Sequence, residues 1–248
     1  MDFGSSALED NMASTVSTPA YSAISLYCGA GGLDLGLTRA GFAVQWAIDI
    51  DRFASETYNA NLDPYGFCGD VLKVDPPHGL RPDLVIGGPP CQGFSVIGRM
   101  DPSDPRSWHV DHFFDVVGAL RPRAFIMENV KALGSSPRWE QIREHLLERA
   151  ADLGYERSLF LLNAENYSVP QSRERMFLVG RLDGTPRCPT PTTPGEPPTV
   201  RASLANLPRF GEPGNDESCA AQVVPARSPI MRPTAFAAAC CSTAPAVL

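Results

Sequence analysis

Residues 23–40 read AISLYCGAGGLDLGLTRA, and the fold is decided in them. Ala23–Tyr27 is a short apolar run of strand type. Cys28-Gly29-Ala30-Gly31-Gly32 makes a glycine-rich turn, and Leu33–Ala40 is a helical stretch stopped by Gly41. The same unit recurs down the chain. Ala43–Ile48 is a second strand ending in Asp49-Ile50-Asp51, and Arg52–Asn61 a second helix. A short third strand leads into Gly69-Asp70-Val71, and Asp83–Ile86 runs into Gly87-Gly88-Pro89-Pro90-Cys91. His112–Leu120 is helical, Ala124–Met127 is a strand ending at Glu128-Asn129, and Arg138–Leu153 is an amphipathic helix closed by Gly154. Ser158–Asn163 and Met176–Gly180 complete the strands. Strands alternating with helices at this spacing predict a Rossmann-like, doubly wound, mostly parallel α/β sheet. Ligands of such sheets bind outside the carboxyl ends of the strands, where every unusual tripeptide here falls.

Composition narrows the class. A chain of 248 residues, 43% apolar and 20% charged, holds one α/β domain with a sizeable core and is not a disordered polypeptide. It has no run of about 18 apolar residues, so no spanning helix is expected. The first 22 residues read as a flexible polar tail without the basic start and apolar stretch of a secretory leader, which points to the cytoplasm. The seven cysteines then read as reduced thiols. A net charge of −7 is the wrong sign for a chain that coats itself with nucleic-acid phosphates. Half of the 24 prolines fall from Leu182 onward, so the core is expected to stop well before the last residue.

Chemistry concentrates at the strand ends. The turn at residues 28–32 gives backbone close access to a ligand and offers the free N–H groups of a helix start. Asp49, about 20 residues on, can accept both hydroxyls of a ribose. Asp70 can accept from an adenine amino group. Together the three suggest an adenosine-containing cofactor. Pro89 and Pro90 stiffen the backbone just before Cys91, displaying its thiol as a nucleophile is displayed, while nearby glycines leave room for a substrate. Glu128 closes the next strand within reach of Cys91. Arg173 and Arg175 alternate on an extended segment, share a face, and fit an oxyanion or base-edge clamp. His109 and His112 lack a zinc pattern and read as solvated or capping residues.

LYCGAGGLDLG, GGPPCQGFS, ENV and QSRERMF stand in the order and spacing of the DNA cytosine-5 methyltransferases, and the chain resembles that family from Ala23 to about Leu182. The resemblance implies S-adenosyl-L-methionine as cofactor. It would be held by Tyr27, where the family usually has Phe, by Gly29, Gly31 and Gly32, and by Pro89. Asp49 would take the ribose, Ile50 would pack on the adenine, and Asp70 would meet its amino group. Cys91 would add to C6 of a cytosine flipped out of double-stranded DNA. Glu128 would engage N3 and the exocyclic amine, and Arg175 would contact O2 with Arg173 close by. A restriction–modification setting is implied as well.

The chain departs from the family toward its end. Residues 183–234 resemble the start of a target-recognition region, whereas residues 235–248 have no familial counterpart. A shifted reading frame over residues 239–247 permits Gly-Leu-Leu-Phe-Asn-Gly-Pro-Gly-Arg, so a frameshift near residue 234 is one expectation. The alternatives are a natural end or a split enzyme. As a split enzyme the chain would bind cofactor, and a second chain would supply the recognition domain and C-terminal helix. A tRNA cytosine-5 methyltransferase is the other alternative, since members with these motifs also modify RNA.

Overall fold

The computed structural model describes residues 21–62, 65–90 and 108–206. Cys91 lies outside the described residues, as do the N-terminal tail and residues 207–248. Seven strands form one sheet in the order β3-β2-β1-β4-β5-β7-β6. They are β1 (Tyr21–Leu26), β2 (Phe42–Asp49), β3 (Gly66–Cys68), β4 (Leu84–Gly87), β5 (Ala124–Val130), β6 (Glu156–Asn163) and β7 (Glu174–Arg181). The helices are α1 (Gly32–Arg39), α2 (Arg52–Asn61), α3 (Trp108–Leu120), α4 (Lys131–Ser135), α5 (Glu140–Asp152) and α6 (Val200–Leu204). None of the described helices is long and apolar enough to cross a membrane.

The first five strands pair in parallel, while β7 is antiparallel to both β5 and β6. The sheet is thus mostly parallel, with one antiparallel hairpin at its edge. The reason is legible in the connections. Parallel neighbours need a crossover of roughly a dozen residues or more, usually a helix. Asn163 and Glu174 are joined only by a 3₁₀ turn (Ala164–Tyr167) and a short loop. Two further differences matter. β5 continues to Val130, so Glu128 and Asn129 lie inside the strand rather than after it. The stretch expected as one helix over 138–153 divides into a 3₁₀ turn at Pro137–Trp139 and α5, with Trp139 buried.

Alternation of side chains along the central strands fills both faces, as expected of a sheet covered on both sides. Ile24, Leu26, Trp46, Ile48, Val85 and Phe125 belong to one core, and Ala23, Ala47, Leu84 and Ile86 to the other. Phe125 anchors the larger core. It is fully buried and meets Phe114 and Tyr155 edge-on, with centroids 5.5 and 5.2 Å apart. Phe125→Ala is therefore expected to reduce the unfolding free energy by about 3–5 kcal/mol, read from urea midpoints. A loss below about 1 kcal/mol would contradict this placement.

Past β7 the proline-rich segment stays tied to the sheet. Thr192 and Thr193 donate their backbone N–H groups to the Asn166 carbonyl, Tyr167 donates its hydroxyl to Pro189, and Ser158 donates to Pro186. The chain is therefore held against β6 and the 3₁₀ turn that follows it as far as Thr193.

Candidate active site

Strand order reverses between β1 and β4, and the crevice there is where a doubly wound sheet receives ligands. A cleft of about 630 Å³ opens at this point, bordered by Tyr27, Gly32, Gly88, Glu128, Arg173 and Arg175. Five of the residues singled out from the sequence thus share one cavity: Tyr27, Gly32, Glu128, Arg173 and Arg175. Pro89 follows the cleft residue Gly88 in sequence, and its carbonyl accepts from the buried Asn129 amide at 3.2 Å. Asn129 follows Glu128 in β5, so one strand supplies both an acid for the cleft and a tether for the segment leading to Cys91.

Glu128 and Arg175 form an ion pair across β5 and β7, with Glu128 Oε1 at 3.0 Å from Arg175 Nε. The antiparallel hairpin brings this about, because it sets Val130 opposite Arg175 and Glu128 opposite Phe177. A side chain at Gly88 would come within 3.3 Å of Glu128 Oε2, so glycine there leaves space over the carboxylate. Arg173 is exposed at the rim, its backbone N–H donating to the Asn163 side chain.

The other expected cofactor residues lie over β2 and β3. Asp49 accepts the Gly29 N–H at 2.8 Å and the Asp51 N–H at 2.9 Å, one on each carboxylate oxygen. A carboxylate has about four acceptor sites, so two remain for a ligand. Ile50 stands 72% exposed beside it. Gly29 and Gly31 take left-handed φ values of 54° and 87°, which explains glycine at both. Asp70 is itself held by local contacts. Lys73 pairs with it at 2.8 Å and the Leu72 N–H adds a second contact, holding the carboxyl below its usual range.

Sequence reasoning missed a buried support beneath the glycine turn. Asp34, fully buried in α1, accepts from Ser25 at 2.9 Å and from the Tyr58 hydroxyl at 3.1 Å. Burial raises its carboxyl pKa, which these donors only partly offset. The sign of an acid at helix position 34 was visible, but not that it pointed inward. His109 is also corrected: it is no solvated cap but bonds to Tyr27. Cys28, in the turn itself, is a buried thiol pushed up to about 12 by burial and then by Asp34 and Asp49. At about pH 8, iodoacetamide is expected to label the exposed Cys68 and Cys188 and spare Cys28, as read by peptide mass spectrometry. Labelling of Cys28 at the rate of the other two would contradict this.

Comparison with known proteins points the same way as the cleft. The family model for C-5 cytosine-specific DNA methylases matches residues 21–234. Type II methyltransferase M.AquIA of Picosynechococcus is 38% identical over 190 residues, covering 68% of this chain and 75% of its own length. M.XorII of Xanthomonas oryzae is 36% identical over 196 residues, covering 75% of this chain but 46% of its own. A prophage-encoded DNA modification methyltransferase of E. coli superposes with a TM-score of 0.65 at 31% identity, over 77% of this chain and 56% of that one. The chain therefore spans about half the length of most of these relatives. With a matched stretch that contains the strand-end turn, the glutamate strand and the arginine hairpin together, the chain belongs to the C-5 cytosine-specific DNA methylase family.

Proposed function

We propose that this chain transfers a methyl group from S-adenosyl-L-methionine to C5 of cytosine in double-stranded DNA, in a restriction–modification setting in the cytoplasm. One observation carries the reading: the Glu128–Arg175 pair faces the same cleft as the glycine turn and lies against Gly88, three residues before Cys91.

The residues present fit the cofactor. Gly29 and Gly32 have open space where a side chain would stand, leaving backbone free to approach a ligand. Asp49 keeps acceptor capacity for the ribose hydroxyls, and Ile50 offers exposed apolar surface to the adenine. Tyr27 lines the cleft, and Pro89, next after Gly88, and Asp70 would complete the site, Asp70 toward the amino group. When bound, the sulfonium supplies an electrophilic methyl group.

Cytosine C5 is too weak a nucleophile to take that group unaided. Addition of the Cys91 thiolate to C6 breaks the ring's aromaticity and moves an electron pair toward C5. Glu128 engages N3 and the exocyclic amine, favouring addition and identifying the base. Arg175, already oriented by Glu128, contacts O2, with Arg173 at the rim. Loss of the C5 proton then expels the thiolate and restores the ring. The base must first leave the duplex, since its C6 is stacked inside it.

Transfer of tritium from labelled cofactor to cytosine-containing DNA tests the reading, with tRNA in parallel. Counts in DNA support it, whereas counts in tRNA alone replace the substrate. A second reading has an observation of its own. One alignment covers 68% of this chain and 75% of M.AquIA, so that relative is of comparable length, unlike M.XorII. In this reading residues 183–234 begin a recognition region that a second chain completes, and the tritium assay succeeds only when that chain is added.

A further inference from the structure

Tyr27 is one of three non-glycine residues in the described structure with a left-handed backbone, at φ 56°. An aromatic residue holds that conformation only where its surroundings impose it. Its ring packs against the larger core and borders the cleft. Beyond the ring, the hydroxyl donates to the His109 carbonyl oxygen at 3.1 Å and lies 3.1 Å from His109 Nδ1. The two rings meet edge-on, at 5.5 Å and 75°. One hydroxyl proton cannot serve both contacts. With it given to the carbonyl, the second contact is completed when Nδ1–H donates to the hydroxyl oxygen.

Backbone and side chain of His109, in the first turn of α3, thus close on the same oxygen. Burial holds this imidazole below its usual pKa against the opposing charge of Asp70, with His112 adding to the lowering. A phenylalanine at position 27 would fill the same wall. The hydroxyl serves His109, not the cleft.

We infer that His109 is a positioning residue for the cofactor, fixing the aromatic wall of the cleft through the hydroxyl of Tyr27. The inference rests on the cofactor reading above and deepens it. Calorimetric titration of the full chain with S-adenosylhomocysteine tests it, comparing wild type with Tyr27→Phe, His109→Leu, the double variant and His109→Asn. His109→Leu, which keeps the backbone carbonyl, is expected to weaken binding about fivefold, the weight of one part-buried hydrogen bond, and Tyr27→Phe, which loses both contacts, at least as much. The double variant should lose no more than Tyr27→Phe alone, because that variant already removes the Nδ1 contact that His109→Leu removes. His109→Asn, whose amide can stand near the Nδ1 position, should bind within about twofold of wild type. Unchanged affinity in the single variants, additive losses in the double, or no recovery in His109→Asn would overturn the inference. Circular dichroism checks folding; should His109→Leu not fold, Tyr27→Phe against His109→Asn carries the comparison. Wild-type protein that fails to bind overturns the cofactor reading itself, and this inference with it.

Discussion

Cys91→Ser is expected to abolish methyl transfer, with a loss on the order of 10⁴-fold or more, the scale on which removal of a covalent nucleophile acts. The reason lies in the electronics of the base. Without addition at C6, C5 has no electron pair to offer, and a serine hydroxyl is far less available as an anion than a thiol. The loss should fall on the chemical step alone. Cys91 follows Pro89 and Pro90, whereas the turn at Gly29–Gly32 and Asp49 lies on neighbouring strands, so affinity for S-adenosylhomocysteine should stay within about twofold. Single-turnover tritium transfer and calorimetry separate the two quantities. Activity within tenfold of wild type would remove Cys91 from the chemistry.

Glu128→Gln is expected to lower the turnover rate by about 10²–10⁴-fold, the range of a positioned acid–base group. Glutamine preserves the shape but takes away the charge that would engage N3 and the exocyclic amine in the proposed reaction and that pairs with Arg175 at 3.0 Å. Stability should hardly move. Both side chains keep about a quarter of their surface in solvent, at 27% and 26%, and pairs of that kind contribute at most about 1 kcal/mol. A near-native melting temperature with a collapsed rate is therefore the expected signature. A rate within fivefold of wild type would show that Glu128 only braces Arg175.

How much of this was legible in the sequence follows from the type of signal. Local periodicity located every strand of the sheet, because central parallel strands buried on both faces read as short apolar runs between glycine-rich turns. Strand ends were less clear: Glu128 and Asn129 look like loop residues beside AFIM, yet pairing with β7 carries β5 on to Val130. The antiparallel edge needed the length of the β6–β7 connection, which was there to be counted. Toward the site, strand-end position singled out Asp49 and Glu128, the extended segment Arg175, and the family resemblance Tyr27, and of these Tyr27, Glu128 and Arg175 line the cleft. None of these signals could bring out contacts made across the fold. Asp34 is paired with Tyr58 from another helix, and His109 meets Tyr27 from 82 residues away. The pairing of Asp70 with Lys73, three residues on, likewise left no sign in the sequence.

The central claim is that Cys91 adds covalently to cytosine held in this cleft, and trapping the adduct tests it most directly. Fluorine at C5 cannot leave as a proton does, so the enzyme stays attached to the base after methyl transfer. Incubation of the full chain with S-adenosyl-L-methionine and DNA carrying 5-fluorocytosine, followed by denaturing electrophoresis, should give a cofactor-dependent protein–DNA band that Cys91→Ser does not form. A band of equal strength from Cys91→Ser, or none from wild-type protein that methylates ordinary cytosine DNA, would contradict the claim.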